Sequence, residues 1–360
     1  MDKFSKIYVA GHNGLVGSAI LKRLKEKGYM NFVTRTNMEL DLRRQAEVEY
    51  FFNIEKPKFV FLAAAKVGGI FANNTYKAEF IYDNIMIALN VINSAYKYGV
   101  NKLLNLGSSC IYPKFAPQPM KEESLLTGIL EPTNEPYAIA KISAIKLCRY
   151  YNEQYGTNFI SVMPTNLYGH GDNFNLETSH VLPALIRKIH LAKCLEIGDF
   201  TAIIKDLKKY PIKGFEEDKL SNEEIINLLS KFGIFIHSHI STSTHLQNIS
   251  VEIWGTGEPY REFLYVDDLA NACVFLMENR DFKDIGEIVN IGTGEDIKIK
   301  DLVILIKDII GFNGQIVYNS TKPDGTPKKL LDVSRINSLG WEPTVSLRDG
   351  IQKVYEWYIK

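Results

Sequence analysis

The stretch Ile7-Tyr8-Val9-Ala10-Gly11-His12-Asn13-Gly14-Leu15-Val16-Gly17 decides the fold, because it predicts a strand, a tight turn and a helix in immediate succession. Its four leading apolar residues are typical of a buried strand, and an amphipathic helix is predicted from Ser18 to about Lys27. The pattern G-x-x-G-x-x-G permits a tight turn, close approach of the backbone to a pyrophosphate, and close packing of helix on strand. Because a helix N-terminus favours anions, Gly11 and residues 13–17 are predicted to bind a dinucleotide.

Strands and helices continue to alternate after this turn. Further predicted strands are Phe32 to Thr36, Lys58 to Ala64, Lys102 to Leu106 and Phe159 to Met163, and predicted helices are Ala78 to Gly99 and a segment from Tyr137 to near Gly156. This order predicts an α/β fold with a Rossmann-like, doubly wound parallel sheet. We expect residues 1–165 to form the nucleotide-binding domain, with a later contribution from about 262–292. Residues 166–360 should form mainly a smaller C-terminal α/β substrate domain.

The composition excludes several classes of protein. The 360 residues are 46% apolar and 23% charged, enough for two domains or one elaborated domain. Basic and acidic residues balance at 42 each, so no net charge favours nucleic acid or an anionic membrane. No apolar run approaches the ~20 residues of a membrane span, and we expect a cytoplasmic protein. Four scattered cysteines without CxxC spacing fit neither a disulfide framework nor a metal site.

The end of the second predicted strand should select the cofactor. Thr34-Arg35-Thr36 offers no carboxylate for the ribose hydroxyls, whereas the guanidinium of Arg35 suits a 2′-phosphate. This favours NADP(H) over NAD(H), although a solvated cation at a strand end is the alternative explanation for Arg35. Asp41 could accept a hydrogen bond from the adenine amino group, and the small side chain of Ala64 would let the cofactor pass closely.

Tyr137 and Lys141 form the first candidate catalytic pair. Their i, i+4 spacing puts the phenol and the ammonium on one face of a helix, and a nearby cation lowers the pKa of a phenol. Such a pair can exchange a proton with a carbonyl oxygen. Ser108 follows a buried strand, at the carboxyl edge of the sheet where open α/β folds bind ligands. In isolation the Tyr/Lys pattern is also common on exposed helices, so its neighbours decide its meaning.

Several longer segments narrow the interpretation. They are Ser108-Ser109-Cys110-Ile111-Tyr112-Pro113, Pro164-Thr165-Asn166-Leu167-Tyr168-Gly169, Asp172-Asn173-Phe174, Ser179-His180-Val181-Leu182-Pro183-Ala184, Trp254-Gly255-Thr256-Gly257 with Arg261-Glu262-Phe263, and Lys322-Pro323-Asp324-Gly325-Thr326-Pro327. Together they resemble the extended short-chain dehydrogenase/reductase family and, within it, the GDP-L-fucose synthase family. The resemblance covers nearly the whole chain except about residues 195–250.

That resemblance implies an NADPH enzyme that epimerises C3 and C5 of a GDP-linked 4-keto-6-deoxysugar before reducing C4. Ser108 would hydrogen-bond the 4-keto oxygen, and Tyr137 would donate a proton to it. Lys141 would hold the nicotinamide ribose and lower the pKa of the tyrosine. Because the keto group acidifies the protons on C3 and C5, Cys110 would act as the base and His180 as the acid of epimerisation.

The resemblance also implies the binding residues. Pro164, Asn166 and Leu167 would contact the cofactor. The substrate would be held by a set of residues that includes both loop and strand positions, namely Ser109, Asn166, His180, Trp254, Arg261 and Lys329. Family members often carry arginine where Asn13 stands, so NADP(H) selection would rely more on Arg35, and tolerance of NADH stays open. Homodimers are expected from pairing of long helices, with Ile142, Ile145 and Leu147 as either interface or core.

Residues 195–250 depart from the family as an insertion too long for an ordinary loop. Phe200 to Tyr210 predicts a short helix, and Ser221 with Glu224 predicts a capping box before a second. His237, His239 and His245 lie in a Ser/Thr-rich segment without companion metal ligands, so we expect no metal there. The insertion could cover the sugar pocket, extend an oligomer contact, or project from the surface.

Two alternatives remain at this level. One keeps the nucleotide and changes the sugar, giving a GDP-4-keto-heptose C4 reductase with little or no epimerase activity. The other is a non-catalytic, NADP-sensing binding module, which predicts a broken Ser/Tyr/Lys set. The set Ser108, Tyr137 and Lys141 is intact, which favours an enzyme.

Overall fold

A computed structural model describes residues 1–216, 220–237, 248–322 and 324–360, without the side chains of Ile70, Phe71 and Asn248. The chain divides into two compact units. The first unit comprises Met1–Gly171, Glu262–Asp296 and Lys329–Leu347, and the second comprises Asp172–Arg261, Ile297–Lys328 and Arg348–Lys360.

The elements are numbered in chain order. The strands are β1 Ile7–Ala10, β2 Phe32–Val33, β3 Phe59–Leu62, β4 Lys102–Leu106, β5 Phe159–Pro164, β6 Asn166–Tyr168, β7 Ile234–His237, β8 Asn248–Trp254, β9 Tyr260–Arg261, β10 Phe263–Tyr265, β11 Val289–Ile291, β12 Ile297–Lys298, β13 Gln315–Asn319 and β14 Lys328–Lys329. The helices are α1 Leu15–Glu26, α2 Gln45–Glu55, α3 Ile70–Thr75, α4 Lys77–Lys97, α5 Glu135–Tyr155, α6 Val181–Glu196, α7 Phe200–Lys209, α8 Asn222–Ser230, α9 Val266–Asn279, α10 Phe282–Ile285, α11 Ile299–Ile310, α12 Ser334–Ser338 and α13 Leu347–Tyr358. Two 3₁₀ turns cover Ser109–Ile111 and Glu122–Ser124.

A six-stranded sheet forms the centre of the first unit, in the order β11-β5-β4-β3-β1-β2. Every pairing in it is parallel, with Ile7 opposite Phe59 and Leu103 opposite Phe159. One apolar cluster covers each face of the sheet, the first around α1 and α9 and the second around α2 and α4. Burial on both faces explains why these strands are continuous apolar runs. The predicted α/β doubly wound sheet is confirmed.

Lys102 opens the buried strand β4 and is itself only 4% exposed. Its ammonium donates hydrogen bonds to the carbonyl oxygens of Leu276 and Met277, at 2.9 and 3.1 Å, in the last turn of α9. A cation at a helix C-terminus satisfies carbonyl groups that have no partner within the helix. The ammonium of Lys102 therefore links strand β4 to the C-terminal end of helix α9.

Some element boundaries differ from the sequence prediction for local reasons. β1 and β4 have the predicted bounds. The first helix begins at Leu15 rather than Ser18, because extended Gly14 already serves as its N-cap. The second strand ends at Val33 rather than Thr36, because the backbone and side chain of Thr36 both bond to the carboxylate of Glu39 in a turn.

The division into units also differs from the predicted domains. The first unit continues to Gly171 and takes in residues 329–347, which were expected in the substrate domain. Leu331 forms a bridge with Met120, and the carbonyl oxygen of Asp332 accepts a hydrogen bond from the side chain of Asn290. These long-range bonds attach a late segment of the chain to the central sheet.

The second unit contains the insertion, whose first helix is α7. The buried guanidinium of Arg187 on α6 donates to Asp206 on α7 at 2.9 Å, to the carbonyl oxygen of Phe174 at 3.0 Å and to that of Tyr210 at 2.5 Å. Asp206 also accepts a hydrogen bond from Tyr358 of α13. The first helix of the insertion is therefore fixed to two other helices of its unit.

The rest of the insertion is partly described. α8 opens with the predicted capping box of Ser221 and Glu224, and β7 pairs with β8 in a three-stranded sheet of order β13-β8-β7. His237 bonds through Nε2 to the hydroxyl of Ser250 at 2.8 Å, whereas His239 and His245 lie outside the described residues. Within the described ranges, no cluster of three or more potential ligands is placed to hold a metal ion. None of the described helices combines the length and apolar character needed to cross a bilayer.

Gly17 provides a test of the packing that creates the first turn. A Cβ atom at Gly17 would lie 2.1 Å from the carbonyl oxygen of Gly11, so Gly17→Ala must displace backbone. We expect the free energy of unfolding, measured by urea denaturation, to fall by about 1–3 kcal/mol, the usual range for overpacking. Gly14→Ala is the matched control, because its Cβ would lie 3.4 Å from the same oxygen. Equal losses in the two variants would contradict this explanation.

Candidate active site

The glycine turn brings two predicted cofactor-binding segments together. Gly11 has φ +83°, and a Cβ there would lie 2.8 Å from the backbone nitrogen of Ala64. The turn is closed by a 3.0 Å hydrogen bond from the backbone of Gly14 to Gly11. The missing side chains at Gly11 and Gly17 thus allow β1, the start of α1 and the end of β3 to lie in backbone contact.

The start of α1 fits a phosphate group. Its N-cap, Gly14, makes no side-chain cap, and its first turn contains no acidic residue. Its first amides are therefore not capped by a side chain of the helix itself. In the part of the chain that the structure describes, the buried Nδ1 of His12 also has no hydrogen-bond partner. These features fit the diphosphate of a dinucleotide at the turn formed by Gly11, Asn13, Gly14, Leu15, Val16 and Gly17.

Arg35 lies just beyond β2, over the ring of Phe51 with the guanidinium carbon 5.5 Å from the ring centroid. It donates to Glu55 at 2.7 Å and to the carbonyl oxygen of Thr34 at 2.8 Å. Two side-chain bonds leave further donors on a guanidinium, which has five. Arg35 can therefore meet a 2′-phosphate, but it shares its charge with Glu55 in this conformation.

Asp41 is held by its own neighbour. Arg43 donates to both carboxylate oxygens of Asp41 at 2.9 Å. These hydrogen bonds lower the pKa of Asp41 to about 2, so the carboxylate is ionised at neutral pH and acts only as an acceptor. That charge state is the one an adenine amino group requires.

Lys141 lies one helical turn after Tyr137 on α5, a helix with proline in its first turn. Its ammonium donates to the carbonyl oxygen of Leu106, the last residue of β4, at 2.7 Å. The ammonium nitrogen also lies 5.6 Å from the centroid of the Tyr137 ring. Burial lowers the pKa of Lys141 to about 8, against the opposing charge of Cys110. The structure therefore places the predicted pair at the carboxyl end of β4.

The pKa of Tyr137 differs from the expectation. Burial raises it, and the negative charge of Cys110 raises it further, so the lowering expected from Lys141 is not found. The physical reason is that loss of hydration on burial disfavours the charged phenolate. At neutral pH Tyr137 is protonated, which is the state that an acid donating to a carbonyl oxygen needs.

Ser108 and Cys110 lie in the turn that follows β4. The hydroxyl of Ser108 accepts a hydrogen bond from the backbone of Cys110 at 3.4 Å, and this bond opens the 3₁₀ turn Ser109–Ile111. Cys110 is 8% exposed and acts electrostatically on both Tyr137 and Lys141. The first unit therefore brings four of the five predicted catalytic residues into one cluster.

A long-range hydrogen bond holds the far side of this turn. The hydroxyl of Tyr112 donates to the side-chain oxygen of Asn290 on β11 at 2.6 Å. The amide nitrogen of Asn290 in turn donates to the carbonyl oxygens of Met120 and Asp332, at 3.0 and 3.1 Å. Since Asn290 is fully buried, its amide is a fixed anchor for the loop that carries Ser108 and Cys110.

The connection after β5 carries the remaining predicted cofactor residues. Pro164 ends β5, and Leu167 of β6 lies opposite Leu264 of β10. The side chain of Asn166 donates to the carbonyl oxygen of Glu262 at 2.8 Å. Its amide is therefore oriented by the neighbouring strand before any ligand contact.

In the second unit, Trp254 ends β8 with its side chain 66% exposed. The ammonium of Lys322 lies 5.2 Å from the centroid of the tryptophan ring. The next loop is tied to Asp324, which accepts from the backbone and hydroxyl of Thr256 at 2.9 and 2.7 Å. An exposed aromatic face beside a cation is a suitable platform for a planar base.

Arg261 lies against the same segment of the second unit. Its guanidinium donates to the carbonyl oxygens of Tyr260 and Thr326, both at 2.6 Å. Gly325 leaves room for it, since a Cβ there would lie 2.7 Å from Nη2. Burial lowers the pKa of Arg261, but an arginine remains charged at neutral pH. Arg261 is therefore a fixed cation whose remaining N–H groups can donate hydrogen bonds to a phosphate.

The two other predicted substrate residues lie at element ends. His180 is the exposed N-cap residue of α6 in the second unit. Lys329 ends β14 and belongs to the first unit. Both make contacts within the protein.

Two candidate residues were missed by the sequence analysis. Among the described residues, the side-chain oxygens of Asn134 and Ser179 are buried without a hydrogen-bond partner. Asn134 is the N-cap residue of α5 but makes no side-chain cap, three residues before Tyr137. Ser179 precedes His180. Asparagine and serine at helix starts normally indicate capping, so the sequence alone offers no signal for a ligand role.

Comparisons with known proteins agree with this geometry. The model of the NAD dependent epimerase/dehydratase family matches residues 7–205 and 232–292, leaving out residues 206–231 within the predicted insertion. GDP-L-fucose synthase 1 of Arabidopsis thaliana is 52% identical, with 100% of this chain and 94% of that protein covered.

Two solved structures from Campylobacter jejuni are similar over the full length of both chains. A GDP-mannoheptose C4 reductase with NADP bound has a TM-score of 0.86 at 44% identity. A GDP-D-glycero-L-gluco-heptose synthase in the presence of NADPH has a TM-score of 0.88 at 43% identity. These matches confirm the expected extended short-chain dehydrogenase/reductase type: the chain belongs to the NAD dependent epimerase/dehydratase family.

Proposed function

We propose that this enzyme uses NADPH to reduce C4 of a GDP-linked 4-keto sugar, after epimerising C3 and C5, as a GDP-L-fucose synthase does. The observation that carries the proposal is the cluster of Ser108, Cys110, Tyr137 and Lys141 at the carboxyl end of β4. It combines the groups for carbonyl reduction with a thiol. A relative 52% identical over the full chain is named GDP-L-fucose synthase.

The reducing half needs an acid at the carbonyl oxygen. Ser108 would donate a hydrogen bond to the 4-keto oxygen and orient it. Tyr137, protonated at neutral pH because burial raises its pKa, would give its proton to that oxygen as the C4 carbon is reduced. Lys141, fixed by Leu106, would hold the nicotinamide ribose. NADPH, when bound at the glycine turn with Arg35, Asp41 and Ala64, supplies the hydride.

The epimerising half needs a base and an acid on opposite faces of the sugar. Cys110 would remove the proton from C3 or C5, because the adjacent keto group stabilises the resulting carbanion as an enolate. His180 would return a proton to the other face. Both roles follow from the family resemblance and from the chemistry of these side chains.

The GDP end would be bound by charge and stacking. Trp254 offers an exposed ring, and Arg261 offers a fixed guanidinium that suits a diphosphate. Lys329 would add a second cation, and Ser109, Asn166 and His180 would contact the sugar. A protein with balanced charge can thus bind an anionic nucleotide sugar locally.

A GDP-4-keto-heptose C4 reductase is the second candidate. It is favoured by the solved structures of a GDP-mannoheptose C4 reductase and a GDP-heptose synthase, each 43–44% identical over the full chain. In this case Cys110 and His180 would persist with little or no epimerisation. The fold, cofactor and reducing residues would be the same.

We also propose a homodimer that uses α4 and α5. Ile142 and Ile145 are buried in the first unit, which supports the core alternative for them. Exposed instead are Tyr82, Leu89 and Tyr96 on α4, at 61, 39 and 39%. Their spacing of seven residues places them on one side of the helix.

A cytoplasmic location remains a prediction from the sequence.

Tyr137→Phe should slow C4 reduction by about 10²–10⁴-fold, the usual loss when a general acid is removed. NADPH affinity, measured by fluorescence titration, should stay nearly unchanged because the phenol is not a cofactor anchor. The matched control is Tyr50→Phe, which removes a hydroxyl from an exposed position on α2. Full turnover by Tyr137→Phe would exclude the proposed acid.

Cys110→Ser should selectively slow the entry of solvent deuterium into C3 and C5. Wild-type enzyme and the variant would be incubated with a GDP-4-keto-6-deoxyhexose or a GDP-4-keto-heptose in deuterated water, and products analysed by NMR. Cys194→Ser, at a buried thiol of α6, is the control. Equal losses of exchange and reduction would count against Cys110 as the base. Wild-type reduction without deuterium at C3 or C5 would favour the heptose reductase.

Leu89→Asp should convert the dimer to a monomer, because a carboxylate would be buried at the centre of the proposed contact. Sedimentation velocity at micromolar concentration measures this directly. Ile304→Asp, at a 48% exposed apolar residue of α11, should leave the dimer intact. A monomeric wild-type protein, or a dimeric Leu89→Asp variant, would exclude this interface.

A further inference from the structure

Glu262 is a fully buried carboxylate between β9 and β10 that the catalytic scheme does not use. One oxygen accepts hydrogen bonds from the backbone amides of Thr293 and Gly294, at 2.7 and 2.9 Å. The other accepts from the backbone amide of Leu331 at 2.9 Å. Three amides from two separate segments therefore converge on one side chain. Charge-assisted bonds of this kind are about twice as strong as neutral ones.

The surroundings are shaped to hold this carboxylate. A Cβ atom at Gly292 would lie 2.1 Å from Oε1 of Glu262, so glycine is required there for the bonds to form. The backbone oxygen of Glu262 also accepts from the side chains of Thr165 and Asn166, at 3.3 and 2.8 Å. Burial raises the pKa of Glu262, and the backbone amides oppose that rise. Side chain and backbone of one residue thus join three segments of the first unit.

The position of these segments along the chain gives the cluster its meaning. The chain passes from one unit to the other at five places, after Gly171, Arg261, Asp296, Lys328 and Leu347. Glu262 is the first residue after the second passage. Its partners Thr293 and Gly294 come just before the third, and Leu331 comes just after the fourth. One carboxylate therefore fastens, within the first unit, three of the five connections.

Two of those connections carry proposed contacts of the nucleotide. Arg261 directly precedes Glu262, and Lys329 lies two residues before Leu331. The direction in which each cation points depends on the backbone to which it is attached. That backbone is fixed at Glu262 and at the amide of Leu331 by the same carboxylate.

We propose that Glu262 is a positioning residue for the diphosphate end of the substrate, acting through the backbone of Arg261 and Lys329. The inference deepens the proposed function and rests on it, because it takes the ligand of those two cations to be a GDP-linked sugar. Glu262 is fully buried and is assigned no contact with the substrate. Its contribution is to fix, within the first unit, the backbone next to each of the two cations before the ligand arrives, which reduces the ordering that binding requires.

Glu262→Gln replaces one carboxylate oxygen with an amide nitrogen. It should therefore affect the segment with Thr293 and Gly294 differently from the segment with Leu331. The oxygen of glutamine can keep the bonds from Thr293 and Gly294, whereas its amide nitrogen would face the Leu331 amide donor to donor. The segment that leads back to Lys329 should therefore lose its attachment. Hydrogen–deuterium exchange should accelerate for peptides containing Leu331 and stay slow for those containing Thr293.

The decisive measurement is calorimetric binding of GDP and of NADPH to the full-length variant. We expect the Kd for GDP to rise about tenfold or more, as is common when a supporting side chain of a site is lost. The Kd for NADPH should change by less than about twofold, and KM for the sugar nucleotide should rise with kcat little changed. Gly292→Ala should reproduce this pattern, because it displaces the same carboxylate without changing its charge. It also carries the test if Glu262→Gln does not fold.

Glu278→Gln is the matched control for stability. Its carboxylate is partly buried in the first unit and bonded to Lys27 and Tyr29. Glu278→Gln should lower the melting temperature without weakening the binding of GDP. Unchanged GDP affinity in both Glu262→Gln and Gly292→Ala, with wild-type protein binding GDP, would overturn this inference alone. Failure of the wild-type protein to bind GDP would overturn the proposed function and the inference with it.

Discussion

Parallel pairing of six strands brings the proposed cofactor-binding and catalytic residues of the first unit to one edge of the sheet. Because the strands are parallel, the residues that follow them all leave the sheet at its carboxyl edge. The glycine turn after β1, Ala64 after β3 and Ser108 after β4 therefore lie at the same edge. The hydrogen bond from Lys141 to Leu106 attaches α5 to that edge and places Tyr137 beside the serine turn. If β4 were paired in another register, the lysine would have no carbonyl partner at this point.

Local patterns in the sequence were sufficient for the elements and for much of the chemistry. The bounds of β1 and β4 follow from apolar runs, and the position of the turn from Ser108 to Cys110 near Tyr137 follows from the order of strands and helices. The pKa of Tyr137 was predicted in the wrong direction, because the spacing of Tyr137 and Lys141 reports charge and says nothing about loss of hydration. Whether the remaining site residues bind substrate is a proposal that rests on chemistry and resemblance.

Bonds between distant segments could not be predicted from the same patterns. Nothing in the sequence links Tyr112 to Asn290, because each looks like an ordinary residue of its own element. Arg187 and Asp206 likewise lie within helices whose periodicity does not reveal a buried ion pair. The return of residues 329–347 to the first unit depends on such contacts, which explains why the predicted domain division differed.

The way in which Glu262 is held has a consequence for how this chain can change over evolution. Three backbone amides donate to its carboxylate, with the hydroxyl of Thr293 as a longer fourth donor at 3.5 Å, and a backbone amide survives every substitution except proline. The side chains of Thr293 and Leu331 can therefore be replaced without loss of the three amide bonds. The constraint falls almost entirely on Glu262 and on Gly292, where a single methyl group would occupy the place of the carboxylate. Mutational tolerance around this cluster should be uneven, with two nearly invariant positions among variable neighbours.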